Sequence, residues 1–515
     1  MRKPKLFFLF FILFLFTFFL GTYTQKKGIL GKYIYPILQS NIKGLSNYFS
    51  ALDQQVETIK VYILKEDYRQ LEKQRQKALE RGINIDNDNY INGIFSKGNS
   101  TDIKGKIKLK GVLKDHWEED NKWSLKIKLK NGKINRVNNF SLIVPTARNY
   151  IYEWLFLQFL NKEKILTPKS KFVNLSINNI NKGILFFEED YSTNMFEHPA
   201  PIICFDKDYF VESWLSGQTS DMLGRGSFES RPITAVGEKK ILSDSVLFKY
   251  FQKAVSNLEK LRLQEIQIDK AIDISKFSKY LAVRAVLGSS EFDPNDNKFY
   301  YNPTTGLLEP IGMEINRTRF GKTENWWFNQ SNLGNRSAFG DIFFNSNEFY
   351  RLYLKSLYRM TNKNYVDSII KSIQPILNKN LNRIYVDYPF FNFDLSETLN
   401  NVKSIHQSIV PKGNLINAYF NYYKDETISI ELGNIHILPI ELNKLIIDNI
   451  EYTIKDKILN AKKIKNPISY QTITQKINYL DRKKIIIEYS VLGTGQVKSI
   501  KVNPWSRKGK FSNEN

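Results

Sequence analysis

Cysteine and histidine are scarce in this chain of 515 residues. Cys204 is the one cysteine, which excludes an intrachain disulfide framework and predicts a buried apolar thiol. The four histidines are scattered, without His-x-x-x-His spacing and without cysteine partners; they are His116, His198, His406 and His436. Zinc chemistry therefore has no support in the sequence.

The signatures of nucleotide-binding loops and of nucleic-acid-binding motifs are missing as well. The chain has no Gly-x-x-x-x-Gly-Lys-Ser/Thr loop and no dense basic tract. Acidic residues number 52 against 75 lysines and arginines, so the formal net charge is +23. That charge favours phosphate-rich or acidic partners, although a general bias toward Lys, Asn and Ile would also produce it. Nucleic-acid binding rests on charge alone, and we do not expect it.

The length and the apolar content describe a packed protein with more than one domain. A chain of 515 residues is too long for one ordinary core. Hydrophobic residues make up 42% and aromatic residues 14%, which excludes a disordered protein.

An apolar run lies at the N-terminus. Arg2, Lys3 and Lys5 precede the run from Leu6 to Leu20, which only Thr17 interrupts. We expect residues 1–23 to be an uncleaved signal anchor that spans the cytoplasmic membrane once, with the body of the protein on the extracytoplasmic side. A cleaved signal peptide is the rival interpretation. Residues 24–55 would be a juxtamembrane connector.

Alternating strands follow the connector. Residues 57–64 read as a strand, and the charged helix from Glu66 to Arg81 should end at Gly82. Residues 103–111 and 122–129 alternate strictly, so one face packs while the other meets water or a ligand. Lys122 or Lys126 on such a strand could hold nucleotide phosphates, or could simply be solvated.

The second half of the chain combines helices with short strands. Residues 171–178 and 184–190 predict a hairpin ending in Glu189, which either pairs with a nucleotide-binding lysine or closes the strand. A helix should begin near Asp273, and residues 345–385 should be helical. From residue 396 onward, short strands predict a small all-β domain with a disordered tail.

A segment rich in carboxylates and amides lies at residues 289–316. It places acidic and amide residues before an aromatic strand, then a turn, then an apolar strand that ends in Glu314. Asn297 and Glu314 could bind Mg²⁺, with Asp296 or Asp293 left to orient or deprotonate a hydroxyl. An acidic loop in solvent is the simpler alternative.

Several of these stretches resemble one protein family in the same order. Residues 296–303 and 309–314 resemble the active-site hairpin of the CotH-like kinase family, atypical protein kinases first associated with a bacterial spore-coat protein, and they match its membrane-attached branch best. Residues 120–127, 140–142 and 148–155 are similar to the N-lobe pattern of that family. The resemblance covers roughly residues 56–340.

The resemblance implies an α+β, protein-kinase-like fold with two lobes. The chain would then comprise the anchor at 1–23, the connector at 24–55, a kinase-like domain at 56–395 and the β-rich domain at 396–515. ATP and Mg²⁺ would be the cofactors, with phosphoryl transfer to a protein or glycan hydroxyl. The implied nucleotide-binding residues are Lys122, Lys126, Arg148 and Glu189, the metal ligands Asn297 and Glu314, and the catalytic residue Asp296 or Asp293.

Two positions depart from the family pattern. Glu314 stands where the family has a metal-binding Asp, and Asn316 where a second Asp is often found. A shift of about 1 Å at a reacting centre can lower a rate on the order of 10²-fold. The alternative is a catalytically degenerate protein that acts as an envelope scaffold or binds an anionic polymer. Whether the chain is an enzyme therefore stays open.

Overall fold

A computed structural model describes most of the chain, and the remainder lies outside the description. The described residues are 14, 17–19, 22, 35–52, 54–85, 89–98, 102–193, 195–205, 232–289, 297–312, 314–315, 338–455, 457–463, 466–477 and 485–508.

The chain divides into two compact units. Unit 1 comprises Met1–Pro145, Lys171–Phe187 and Pro375–Phe393. Unit 2 comprises Thr146–Ser170, Glu188–Gln374 and Asp394–Asn515. The domain bounds expected from the sequence stay a prediction.

Unit 1 is built on a closed seven-stranded β-barrel with strand order β1-β2-β3-β4-β5-β7-β6. The strands are β1 (Thr58–Tyr62), β2 (Ile91–Lys97), β3 (Ile103–Leu109), β4 (Leu125–Leu129), β5 (Asn139–Ile143), β6 (Ser170–Ile177) and β7 (Ile180–Glu189). Parallel pairing of β1 with β6 closes the barrel, whereas β1 to β5 pair antiparallel in chain order. Alternate residues fill the interior, among them Phe95, Ile107, Ile127 and Phe140.

Two helices precede or interrupt the barrel strands. They are α1 (Tyr35–Ala51) and α2 (Lys65–Arg81). Helix α2 ends at Gly82 in the left-handed conformation, as the sequence predicts.

Unit 2 contains the remaining helices. The helices are α3 (Tyr152–Lys162), α4 (Glu238–Ser243), α5 (Ser245–Arg262), α6 (Ile274–Leu287), α7 (Ala338–Phe344), α8 (Asn347–Met360), α9 (Tyr365–Tyr385) and α10 (Ser396–Ile409), the end of α9 belonging to unit 1. Helices α3, α8 and α10 pack on α6. Asp273 caps α6 by accepting a hydrogen bond from the Lys276 backbone N–H at 2.9 Å.

Three sheets complete unit 2. The first has the order β11-β10-β8-β9 and comprises β8 (Ile202–Phe205), β9 (Ile233–Ala235), β10 (Phe299–Tyr301) and β11 (Leu308–Pro310). The second, β12-β13-β17, comprises β12 (Ile416–Lys424), β13 (Thr427–Asn434) and β17 (Tyr470–Lys476). The third comprises β14 (Ile440–Ile447), β15 (Ile450–Thr453), β16 (Ile458–Leu459), β18 (Ile485–Val491) and β19 (Lys498–Lys501).

The predicted kinase-like, two-lobed α+β fold is wrong. The architecture is mixed α and β around a closed barrel. The sequence shows alternating strands, but it does not show that β1 pairs with β6, more than 100 residues away along the chain. That long-range pairing turns the predicted sheet lobe into a barrel.

The predicted membrane anchor is also contradicted. In the parts of the chain that the structure describes, no helix has the length and apolar character needed to cross a bilayer. Of segment 1–23, only Phe14, Thr17 to Phe19 and Thr22 are described. The apolar run from Leu6 to Leu20 has 15 residues, against about 20 needed for a spanning helix. The transmembrane signal anchor, the membrane as a partner and the single-pass extracytoplasmic location fail on this finding.

Candidate functional site

Lys122 is held by a structural ion pair within unit 1. Its Nζ donates to Asp387 Oδ2 at 2.6 Å and to the Tyr388 hydroxyl at 3.3 Å. The same carboxylate oxygen accepts the backbone N–H of Ile184. Since the Lys122 and Asp387 side chains are only 11% and 21% exposed, the pair ties the approach to β4 to the segment after α9.

Lys126 belongs to a row of lysines on the outside of the barrel. Strand β3 contributes Lys104, Lys106 and Lys108, and the β4 segment contributes Lys126, Lys128 and Lys130. The register pairs Lys108 with Lys126 and Lys106 with Lys128, and the Lys130 N–H donates to the Lys104 carbonyl at 2.8 Å. We call these six residues the lysine ladder.

The alternation of β3 and β4 orients the lysine ladder outward. Gly105, Ile107, Ile127 and Leu129 lie between the lysines and are buried. Successive side chains of a strand point to opposite faces, so all six lysines share the outer face. Paired strands lie about 4.8 Å apart and alternate residues about 6.7 Å apart, which gives a two-by-three array of positive charges.

The strands beside the ladder add no acidic side chain at the paired positions. Asn92 of β2 pairs with Lys106, while Asn139 and Ser141 of β5 pair with Lys128 and Lys126. Tyr90 lies beneath two of the lysines, because its ring centroid is 4.9 Å from Lys108 Nζ and 4.7 Å from Lys128 Nζ. Such cation–π contacts hold the ammonium groups in place without cancelling their charge.

Arg148 lies in a buried cluster of charges in unit 2. It ends a 3-10 turn, Pro145–Arg148, and is 6% exposed. Its Nη1 donates to Glu314 Oε1, and its Nε lies 3.8 Å from Glu188 Oε2. Burial by itself lowers the pKa of Arg148, but attraction from Glu314, Glu188 and Glu153 outweighs it, so the pKa lies above its ordinary value.

A second arginine and two tyrosines complete this charged cluster. Arg284 of α6 is 1% exposed and donates to the Tyr280 hydroxyl at 2.9 Å and to the Glu314 carbonyl at 3.3 Å. The Tyr191 hydroxyl donates to the Gly312 carbonyl at 2.9 Å, and burial raises the pKa of Tyr191 well above its usual value.

Glu153 is the carboxyl group of the cluster that lies deepest. It is 1% exposed on α3 and accepts the backbone N–H of Ile315 at 2.8 Å. Burial raises the pKa of Glu153 to about 7; Arg148 opposes this, while Glu188 and Glu314 add to it. With Glu153 protonated, the cluster holds two carboxylates, Glu188 and Glu314, against two guanidinium groups.

The backbone around Arg148 adopts unusual conformations. Asn149, Tyr150 and Glu314 have φ angles of 49°, 59° and 30°, in the left-handed region that L-residues rarely occupy. Non-glycine residues of this kind often cluster at functional sites. The positive φ of Glu314 accompanies its turn toward Arg148 immediately after the hairpin.

The predicted hairpin is present, and its open end lies at this cluster. Phe299 pairs with Pro310, and the Ile311 N–H donates to the Lys298 carbonyl at 3.2 Å. That register places Asn297 across from Gly312, two residues before Glu314. Asn297 is buried at 4% exposure. The predicted catalytic residues Asp293 and Asp296 lie outside the described residues.

The charged cluster does not by itself fit a divalent cation. Within the described ranges, no group of three or more His, Cys, Asp or Glu side chains is arranged to bind a metal. The Glu314 carboxylate already pairs with Arg148. Bound Mg²⁺ would have to compete with a guanidinium group for this ligand, so the predicted pair of Asn297 and Glu314 stays a prediction.

Glu189 contacts Lys169. Its Oε1 lies 3.6 Å from Lys169 Nζ, and its Oε2 accepts the Lys169 N–H at 3.3 Å. The neighbouring Glu188 approaches Arg148 instead. The sequence contained both carboxylates but not the register that decides which one joins the cluster.

Sequence reasoning missed Glu153 and Arg284. The available signal was a charged residue inside an otherwise apolar helix, since Glu153 precedes Trp154 and Leu155, and Arg284 lies among alanines and valines. Charged residues are rarely fully buried without a partner, so such positions predict buried ion pairs.

Comparison with known proteins leaves the family open. No protein-family model matches the chain, and no curated protein matches it either. The resemblance to the CotH-like kinase family therefore remains a prediction.

Proposed function

We propose that this protein binds an anionic polysaccharide through the lysine ladder. The observation that carries the proposal is the outward array of six lysines, three from each of two paired strands. Binding requires neither nucleotide nor metal.

The lysines of the ladder repel one another, and a bound anion would relieve this repulsion. Like charges directly opposite each other on paired strands destabilise a sheet. Two lysine pairs face each other in the register of β3 and β4, and the Lys130–Lys104 backbone hydrogen bond places a third. A polymer with regularly spaced carboxylate, sulfate or phosphate groups would neutralise several of them together.

The residue types at the lysine ladder favour a glycan over nucleic acid as the ligand. Single-stranded nucleic acids are usually held by aromatic side chains on which bases stack. The aromatic ring at the ladder, Tyr90, is already contacted by Lys108 and Lys128. Lysine ammonium groups are also point charges that accept anionic groups of varied geometry.

The test measures binding of the full-length protein to labelled oligogalacturonate by fluorescence anisotropy, at two salt concentrations. The triple variant Lys104→Gln, Lys106→Gln, Lys128→Gln should bind at least about tenfold more weakly. Its binding should also depend less steeply on salt, because fewer contacts with the polymer release fewer counterions. Neutral dextran should not compete.

A matched control removes three charges elsewhere in unit 1. Lys65, Lys73 and Lys77 are exposed on α2, and changing all three to Gln should leave binding within about twofold. An equal loss of affinity in both triple variants would show that binding depends only on the net charge of the protein, and it would overturn the proposal. Tighter binding of a single-stranded oligonucleotide of equal charge would overturn the choice of a glycan.

Phosphoryl transfer is a second candidate, and the hairpin favours it. Glu314 pairs with Arg148 at the open end of the hairpin, and Asn297 lies at the same end. The resemblance implies Arg148 as a phosphate ligand and Asn297 and Glu314 as metal ligands. A phosphate group entering this cluster would compete with Glu314 for Arg148.

Calorimetric titration of the full chain with ATP, with and without Mg²⁺, tests this candidate. It predicts binding that depends on Mg²⁺ and is lost in Asn297→Ala and in Glu314→Ala, whereas Lys253→Gln on α5 should bind as the wild type does. Circular dichroism confirms that each variant is folded. Absence of ATP binding to folded wild-type protein would eliminate this candidate and leave the ladder proposal untouched.

A further inference from the structure

A large cleft lies within unit 2. Its volume is about 1080 Å³. It is lined by α6, by α8, by the beginning of α9 and by parts of β14, β18 and the turn after β18. Ligand-binding clefts are typically about 300–1000 Å³, so this one is large enough for a small molecule or a short oligomer.

The cleft has more positive than negative charge along its lining. Four cationic side chains line it, against one carboxylate, Glu441; they are Lys279, Arg351, Lys355 and Arg359. Arg351 forms an ion pair with Glu441. Arg359 donates to both oxygens of Glu163, at 3.0 and 2.5 Å.

The ion pairs of the two arginines leave Lys279 and Lys355 as the other cationic side chains of the lining. Among the residues that the structure describes, no carboxylate forms an ion pair with Lys279 or Lys355. Lys279 is half-buried on α6 and Lys355 is exposed on α8, two helices that pack against each other. Two ammonium groups on neighbouring walls can hold one phosphate group, which carries close to two negative charges.

The rest of the lining consists mostly of hydroxyl and amide groups. Ser278, Tyr358 and Thr494 supply hydroxyl groups, and Asn362 and Asn443 supply amides, while Leu352 is the aliphatic residue in the lining. Hydroxyl groups both donate and accept hydrogen bonds, as the hydroxyl groups of a sugar require.

A glycine turn shapes one wall of the cleft. Gly493 has a φ of 76°, and a Cβ atom there would lie 2.3 Å from the Arg351 carbonyl oxygen. Only glycine permits this close approach of the turn to α8. Gly495, also at positive φ, has nothing within 4 Å of its Cβ position, which leaves the cleft open at that point.

We infer that this cleft binds a phosphorylated sugar, with Lys279 and Lys355 on the phosphate and the hydroxyl and amide groups on the sugar. The inference does not rest on the proposed binding of polysaccharide by the ladder, because the two surfaces share no residue. The phosphate-bearing sugar can be a free monosaccharide or the end of a longer glycan.

Isothermal titration calorimetry of the full-length protein, in a buffer without phosphate, tests the inference with four probes. They are glucose 6-phosphate, a 6-phosphorylated maltooligosaccharide, glucose and inorganic phosphate. We expect both phosphorylated sugars to bind, and the tighter one identifies the source. Inorganic phosphate should bind at least tenfold more weakly, and glucose should not bind.

Variants locate the site. Lys279→Gln and Lys355→Gln should each weaken binding of the phosphorylated sugars about tenfold or more. Lys253→Gln, an exposed change on α5, should not alter it, and neither should the ladder triple variant. Inorganic phosphate binding as tightly as the sugars, retention of affinity in both lysine variants, or failure of every probe would overturn the inference.

Discussion

At the scale of single residues, the environment of Glu153 changes its chemistry. In a solvated helix this side chain would be an ordinary carboxylate. On α3 it is buried beside Arg148 of the 3-10 turn, Glu188 at the end of β7 and Glu314 after the hairpin. Burial disfavours the charged form more than Arg148 favours it, so the proton is retained up to a pH of about 7.

The raised pKa of Glu153 predicts a pH-dependent contribution to stability. The folded-state pKa of about 7 lies above the ordinary value of 4.5, so the folded state binds the proton more tightly than the unfolded chain. This contribution is fully present below pH 4.5 and is lost as the pH rises to about 7. This pKa difference of about 2.5 corresponds to at most about 3–4 kcal/mol.

Urea unfolding at pH 5 and pH 8 checks this prediction with Glu153→Gln. The amide oxygen can still accept the Ile315 N–H, but the side chain no longer ionises. We expect similar stability for the variant and the wild type at pH 5, and a more stable variant at pH 8. Parallel pH profiles would contradict the prediction; Glu238→Gln, at an exposed position of α4, serves as the control.

At the scale of elements, Lys122 connects the approach to β4 with the segment after α9. The Asp387 carboxylate accepts hydrogen bonds from both the Lys122 ammonium group and the backbone N–H of Ile184 in β7. Gly183 permits this approach, since a Cβ atom there would lie 2.1 Å from Asp387 Oδ2. The residue expected to bind nucleotide therefore joins elements 265 residues apart in the chain.

Thermal unfolding of Lys122→Ala distinguishes a structural from a phosphate-binding role. Leaving Asp387 without its ammonium partner should destabilise the protein by about 1–3 kcal/mol. Lys128→Ala on β4 should change stability by less than about 0.5 kcal/mol or increase it slightly, since it relieves a lysine pair. An unchanged unfolding temperature in Lys122→Ala would exclude the structural role.

At the scale of the whole molecule, placement of charge matters more than its total. The net charge of +23 does not distinguish a uniformly basic surface from a specific binding site. The structure separates three environments: the solvated lysine ladder, the buried arginine–carboxylate cluster and the cleft with two lysines. Solvated charges are screened by salt, whereas buried pairs are screened much less. Strong salt dependence should therefore accompany binding at the ladder.

Local features of the fold were predictable from the sequence. The hairpin around residues 302–306, the end of α2 at Gly82, the start of α6 after Asp273 and the alternation of β3 and β4 all occur where the residue pattern indicates. Each depends on side-chain period, turn chemistry or a cap within a few residues, and such interactions can be read directly from neighbouring positions.

The composition of the sites was only partly predictable. The resemblance implies that Arg148 binds phosphate and that Glu314 binds the metal. The structure instead joins these two residues in an ion pair across 166 residues of chain. The sequence presents Lys126 as a single lysine on a strand. The register of β3 and β4 places it among the six lysines of the lysine ladder.

The sequence by itself determined that β3 and β4 are strands with one apolar face, that α2 ends at Gly82 and that α6 begins after Asp273. It did not predict that residues 396–409 form a helix. Tertiary structure alone decided that β1 pairs with β6 to close a barrel, that β3 and β4 align lysine with lysine, and that Glu188 rather than Glu189 meets Arg148. The physical reason is that these outcomes depend on pairings between distant segments. Such pairings are selected by burial of the shared core, which no short window of sequence contains.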